Sequence, residues 1–174
     1  MTKEQFKSLI RNVPDFPKKG IQFKDITTAL KNADCLCWIK NEVVNLYKDK
    51  GITQVVGLES RGFIIGPAVA IELGAGFVLA RKPGKLPADV ISASYNKEYG
   101  TDTIQIHRDA LSENDIVLIH DDLLATGGSI EGAIQLVKKA GVKKIYVNFL
   151  IELNELNGRK TIDEDIEVTS LIQF

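Results

Sequence analysis

Apolar residues at the start of the chain recur at helical spacing, as Phe6, Leu9, Ile10 and Val13, with Thr2 and Gln5 placed to form a capping box and Pro14 to stop the helix. A second helix is predicted with Asp34 as its cap, Leu36, Ile39, Val43 and Leu46 on one face, and Gly51 at its end. Between them, Asp15-Phe16-Pro17-Lys18-Lys19-Gly20 reads as a surface turn. The period then changes. Residues 54–58 form a short β-branched strand, 62–73 a helix of small apolar residues closed by Gly74, and 77–80 another apolar strand. Strand, helix, strand in that order implies a parallel sheet with a right-handed crossover. The stretch 81–103 loosens into alternating pieces and reads as a mobile two-stranded flap, too long for an ordinary connection. Residues 116–120 make a buried strand that ends in Asp121 and Asp122. The chain then turns through Gly127-Gly128 and enters a helix at Ser129, with Ile130, Ala133, Ile134 and Val137 as its buried stripe before Gly141. Strands over 144–153 and 166–174 complete the pattern. The fold class expected is α/β, a parallel sheet flanked by helices.

Three strand-to-loop junctions carry candidate chemistry. Backbone amides of Thr126, Gly127, Gly128 and Ser129 at a helix start suit a phosphate, because such donors lack intrahelical acceptors and the helix dipole favours an anion. Asp121 and Asp122 beside them can accept hydrogen bonds from sugar hydroxyls or hold a hydrated magnesium ion. Each pair alone would only close a strand or turn a chain. Their combination at the carboxyl end of an apolar strand is where open α/β sheets place ligands. Glu59-Ser60-Arg61-Gly62-Phe63 forms a second strand-to-helix turn with a guanidinium suited to phosphate. The third junction, Arg81-Lys82-Pro83-Gly84-Lys85-Leu86-Pro87, gathers three cations at the entrance to the flap.

Composition narrows the partners. The 174 residues suit one folded domain and a substantial core. A net charge of −1 gives no basic footprint for nucleic acid, so an anion site must be local. The chain has no membrane-spanning apolar run and no signal-peptide pattern, so a cytoplasmic protein with no membrane partner is expected. Cys35 and Cys37, two apart in a helical pattern, point to different faces and read as reduced thiols rather than a disulfide or metal site.

The run 116–129 resembles the phosphoribosyl pyrophosphate signature of the type I phosphoribosyltransferases: four apolar residues, two acids, two apolar residues and Ala-Thr-Gly-Gly-Thr/Ser, here Ala125 to Ser129. His120 departs from it, standing where that family usually has an aliphatic residue. Gly-Leu-Glu59-Ser60-Arg61-Gly-Phe, the Arg81-Lys82 string through Lys85, Tyr95-Asn96-Lys97-Glu98-Tyr99-Gly100, and Phe16 through Gln22-Phe23-Lys24-Asp25-Ile26 resemble, in family order, further motifs of its adenine phosphoribosyltransferases. The resemblance runs from about Val13 to about Lys160.

It implies a single domain over 1–174, with a small amino-terminal hood over the sugar site, mainly 13–30, and a flap over about 82–103. It implies transfer of a phosphoribosyl group from phosphoribosyl pyrophosphate to adenine, giving AMP and diphosphate. Gln22, Phe23 and Lys24 would hold adenine, with Lys24 in place of the commoner Arg; Glu98 would accept its proton and Tyr99 would be a neighbouring contact. Arg61, with Arg81, Lys82 and Lys85, would neutralise the leaving group, while Asp121 and Asp122 hold the ribose hydroxyls. Mg2+ would ride on the substrate without a direct protein ligand, reaching Asp121 and Asp122 through water. A homodimer is implied. His120 is expected to be a partly buried structural histidine that orients Asp122 or a bound water and lends activity some pH sensitivity. Two other readings remain: a phosphoribosyltransferase for another base, and a non-enzymatic sensor of phosphoribosyl pyrophosphate.

Overall fold

A computed structural model describes residues 1–97 and 100–174, with Asn96 and Lys97 described as backbone alone. Its contacts divide the chain into two compact units, 1–42 and 43–174.

In the first unit the capping box forms as expected. Gln5 N–H donates to the Thr2 hydroxyl at 3.2 Å and Thr2 N–H to Gln5 Oε1 at 2.8 Å, opening α1 (Lys3–Leu9). The helix stops earlier than Pro14. Ile10 is already extended, and Arg11–Pro14 becomes β1, paired antiparallel with β2 (Gln22–Asp25) so that Val13 opposes Phe23. A partner strand supplies the hydrogen bonds that a further helical turn would have made, and the 3.6 spacing of Val13 proves incidental. Arg11 pairs with Asp25, and that guanidinium holds the Asp25 carboxyl down at about 2. After α2 (Thr27–Leu30) comes α3 (Ala33–Tyr47). Asn32, rather than Asp34, caps it, its Oδ1 accepting Cys35 N–H at 3.0 Å. The buried stripe of α3 is Cys35, Ile39, Val43 and Tyr47, whereas Leu36 and Leu46 are exposed. Both cysteines are free, Cys35 buried and Cys37 exposed.

The second unit holds a five-stranded, all-parallel sheet. Its strands are β3 (Gln54–Leu58), β4 (Gly76–Ala80), β7 (Ile116–Leu124), β8 (Lys144–Glu152) and β9 (Glu167–Gln173), in the order β4-β3-β7-β8-β9. Between β3 and β4 runs α4 (Gly62–Leu73), closed at Gly74; after β7 comes α5 (Gly128–Lys139). This is the architecture expected from the pattern. The fully buried Val117, Leu118 and Ile119 explain why β7 reads as an unbroken apolar run: as the middle strand it is covered on both faces.

The antiparallel hairpin of β5 (Val90–Lys97) and β6 (Gly100–His107) occupies the stretch read as a flap. It extends past Thr103, and its base is core: Ala93, Tyr95, Ile104 and Ile106 are buried among the residues of α5 and the sheet. Burying two isoleucines contributes about 3 to 6 kcal/mol, which ties the base down. Arg81 and Gln105 exchange two backbone hydrogen bonds of 2.8 Å, joining β6 to the end of β4. No helix among the described residues is long and apolar enough to cross a membrane.

Candidate functional site

Because successive strand residues face opposite ways, β7 sends Val117, Ile119 and Asp121 to one face and Leu118, His120 and Asp122 to the other. The strand continues through both acids to Leu124 instead of ending before them. Asp121 therefore reaches a cavity of about 180 Å³ bounded by Leu58, Arg61, the loop and helix start over 123–130, and Phe149. Gly127, with φ 92°, makes the turn into α5, so the chain changes direction and presents the first helical amides to this cavity. Ala125, Thr126, Gly127, Gly128 and Ser129 all line it. Its size and donors suit a phosphate group, and Arg61 adds a cation at the same wall.

Asp122, expected with Asp121 to hold the ribose hydroxyls, is not among the residues that line the cavity. Only 3 % exposed, it forms an ion pair with Arg61, whose Nε stands 3.1 Å from Oδ2, and its Oδ1 has no hydrogen-bond partner. Burial pushes its carboxyl above the ordinary carboxylate range, opposed by the Arg61 charge. Asp121 is held well above that range by burial and by the charge of Asp122. The pair is thus split: Asp121 faces the cavity, and Asp122 aims the guanidinium that lines it.

His120 also differs from expectation. It is fully buried, and its Nδ1 lies 2.9 Å from Asn148 Oδ1 on the neighbouring strand, not against Asp122. Asn148 Nδ2 donates to Thr169 Oγ1 at 2.9 Å, and Thr169 meets the Tyr47 hydroxyl at 2.6 Å. Strand register lines these groups up, His120 opposite Asn148 and Asn148 opposite Thr169. Burial lowers the His120 pKa to about 4, so the imidazole is neutral at ordinary pH. A polar residue inside an apolar strand, as Asn148 is within β8, was the available signal for this network.

Glu59, which the resemblance places in the second substrate-binding turn, grips Arg81. Its two oxygens accept from Arg81 Nη2 at 3.0 Å and Nε at 3.3 Å, and from Lys82 N–H at 3.1 Å. Arg81 keeps the Glu59 carboxyl low, and its Nη1 donates to the Lys85 carbonyl at 3.1 Å. Arg81 thereby braces the loop that carries Lys82 and Lys85, both exposed. Lys82 Nζ lies 3.6 Å from Asp102. Ser60 is exposed at the turn into α4. Tyr95 stacks so closely on Gly132 of α5 that no larger residue fits there without displacement, and its hydroxyl accepts from Ser129 Oγ at 3.4 Å.

In the first unit Gln22 and Lys24 both turn to Asn12: its Nδ2 donates to Gln22 Oε1 at 2.6 Å, and Lys24 Nζ donates to its Oδ1 at 3.1 Å. Phe23, on the other face of β2, meets Phe16 edge-on with ring centres 5.2 Å apart. Glu98 and Tyr99 lie outside the described residues. Among the described residues no cluster of three His, Cys, Asp or Glu side chains could hold a metal ion.

Residues 22–173 match the phosphoribosyl transferase domain family. The adenine phosphoribosyltransferase of Phocaeicola vulgatus is 60% identical over 172 residues, covering 99% of each chain. Two crystal structures align with TM-scores of 0.95. That of adenine phosphoribosyltransferase from Thermoanaerobacter pseudethanolicus is 45% identical, covering 99% of this chain and 100% of that one. The enzyme of Giardia lamblia, complexed with 9-deazaadenine, is 46% identical, covering 100% and 98%.

Proposed function

The chain belongs to the phosphoribosyltransferase family, and from that premise we propose that it transfers the phosphoribosyl group of phosphoribosyl pyrophosphate to adenine, releasing AMP and diphosphate in purine salvage. The observation that carries the sugar-phosphate half is the cavity where the amides at the start of α5 meet Arg61 and Asp121. The choice of adenine rests on kinship to adenine phosphoribosyltransferases along the whole chain, hood segment included.

In this reading the amides of residues 126–129 hold the 5′-phosphate, and Asp121 accepts a ribose hydroxyl. The nitrogen at position 9 of adenine attacks the anomeric carbon as its bond to diphosphate loosens, with inversion, and positive charge grows on the ring. Arg61, aimed by Asp122, takes up negative charge developing on the diphosphate; Lys82 and Lys85, on the loop that Arg81 braces, add to it. Phe23 stacks on the base and the main chain of 22–24 reads its edge, while Glu98 accepts the proton and Tyr99 lies beside it. Closure of the flap would keep water from the activated sugar.

Asp121 is the one carboxylate of the acidic pair at the cavity and Asp122 pairs with Arg61, so Mg2+ would be carried by the substrate, with Asp121 as the residue able to reach it through water. When bound, it supplies charge neutralisation to the departing diphosphate. A homodimer is supported by an apolar face on α4 and the edge strand β4, where Ile71 is 77% exposed and Ile64 and Leu79 are exposed with it. Free cysteines suit the cytoplasm. The deciding experiment is a steady-state assay with adenine, hypoxanthine, guanine and orotate, with and without magnesium. Turnover confined to adenine is expected; turnover with another base alone, or none with any, would overturn the reading.

A further inference from the structure

We infer that Gly158 and Thr161, in the segment after β8, are positioning residues that aim the phosphate-binding amides, an inference that rests on reading the cavity as the 5′-phosphate site. This segment folds back beneath the loop that follows β7. Leu153 N–H donates to the Leu124 carbonyl at 2.9 Å. Gly158 then packs so tightly on the loop that a Cβ there would run into the Ala125 carbonyl and come within 2.8 Å of the Leu124 side chain. Thr161 Oγ1 lies 2.9 Å from the Gly158 carbonyl and 3.3 Å from that of Gly127, and shares its proton between them. A Cβ on Gly127 would strike the same hydroxyl.

A peptide plane fixes the consequence. The C=O of one residue and the N–H of the next point opposite ways, so a carbonyl held away from the cavity turns the following amide toward it. Holding the Ala125 carbonyl sets the Thr126 amide, and holding the Gly127 carbonyl sets that of Gly128. The segment is rigid enough to do this because Arg159, between the two positioning residues, is clamped from the far side. Its Nε and Nη2 lie 2.6 and 2.8 Å from the two oxygens of buried Glu152, and its Nη1 donates to the Val168 carbonyl at 2.9 Å. Ser170 Oγ donates to the same carboxylate at 2.7 Å. Burial alone would raise the Glu152 pKa, yet Arg159 and Ser170 bring it below the usual value, so the clamp stays charged.

Thr161→Val keeps the shape and removes the hydroxyl, while Thr161→Ser keeps the hydroxyl. The valine variant should raise KM for phosphoribosyl pyrophosphate about three- to tenfold, the range of one net hydrogen bond, with kcat and the KM for adenine unchanged. Calorimetric titration with ribose 5-phosphate should show the same factor, and the serine variant should restore both values. Gly158→Ala should weaken ribose 5-phosphate binding more than Thr161→Val does; if it fails to fold, the threonine pair still decides. A folded valine variant with wild-type affinity for ribose 5-phosphate, or one whose every kinetic constant falls together with its Tm without rescue by serine, would overturn the inference. Failure of the proposed reaction would appear differently, as wild-type protein inactive with adenine, and the ribose 5-phosphate titration then still tests the positioning role.

Discussion

Arg61 Nε stands 3.1 Å from Asp122 Oδ2, and this contact assigns different tasks to two adjacent carboxylates. One side of the strand brings Asp121 to the cavity; the other brings Asp122 to the guanidinium at the cavity wall.

Asp122→Asn should therefore weaken use of phosphoribosyl pyrophosphate without unfolding the protein. The Asp122 pKa is raised in the folded state, so the ionised form costs the fold stability; that cost shrinks as pH falls through the raised pKa and is gone below the ordinary value of 3.8. Asparagine removes the charge and keeps the shape. At pH 7 the Tm should hold or rise, while kcat/KM for phosphoribosyl pyrophosphate falls about tenfold or more as Arg61 loses its orienting charge. A drop in Tm with unchanged kinetics would show that Asp122 serves the fold alone.

Asp121→Asn tests the other half of the pair. It lines the cavity, so losing one charge-assisted sugar contact should cost on the order of 1.5 to 3 kcal/mol in kcat/KM. Equal efficiency in mutant and parent would remove Asp121 from the site.

For Glu59→Gln the expected effect is transmitted through Arg81. The glutamine cannot accept the bidentate guanidinium pair, so the loop bearing Lys82 and Lys85 loosens. KM for phosphoribosyl pyrophosphate should rise several-fold, with little change in Tm for a partly exposed pair. The check is whether higher ionic strength narrows the gap between mutant and parent, as it should when mobile lysines are the lost contribution.

What could be read in the sequence was what neighbours along the chain decide. The capping box at Thr2 and Gln5, Gly74 at the end of α4 and the Gly127 turn into α5 depend on residues a few positions apart, and each forms. Alternation along β7 also places Asp121 and Asp122 on opposite faces. It cannot say what waits on either face, because Arg61 arrives from a different loop. Val13 departs from the helical pattern for the same reason, its partner Phe23 lying across a turn. The row His120, Asn148 and Thr169 depends on the register of three strands separated by whole helices and loops, which local periodicity does not encode. Arg61 and the Thr-Gly-Gly-Ser turn were legible because both follow strands that end at one edge of the sheet.

Glu98→Gln should lower kcat about a hundredfold or more while leaving the KM for adenine close to its parent value, since the change keeps the shape and removes the proton acceptor. Unchanged turnover would return Glu98 to the role of a solvated charge.

His120→Val tests the buried polar row through pH. The folded protein holds the imidazole pKa near 4, against 6.5 as the ordinary value, with burial as the main cause. Above pH 6.5 neither folded nor unfolded chain carries the extra proton, so His120 contributes its full stability there. Between 6.5 and 4 the unfolded chain takes up a proton that the folded one refuses, and stability is lost as pH falls through that window. By pH 4 the loss is about 3 kcal/mol. At pH 7 the valine variant should be less stable than the parent by about 1 to 3 kcal/mol, because Asn148 Oδ1 loses its buried donor. At pH 4.5 the gap should close, because valine has no proton to take up. Thermal unfolding of both proteins at the two pH values measures this directly. A gap that is constant with pH would mean that His120 is not held neutral. Between pH 6 and 8 the shape of the kcat/KM profile should be the same in both, since a histidine already neutral has no proton to lose; a profile flattened by valine would restore His120 to the chemistry of the site.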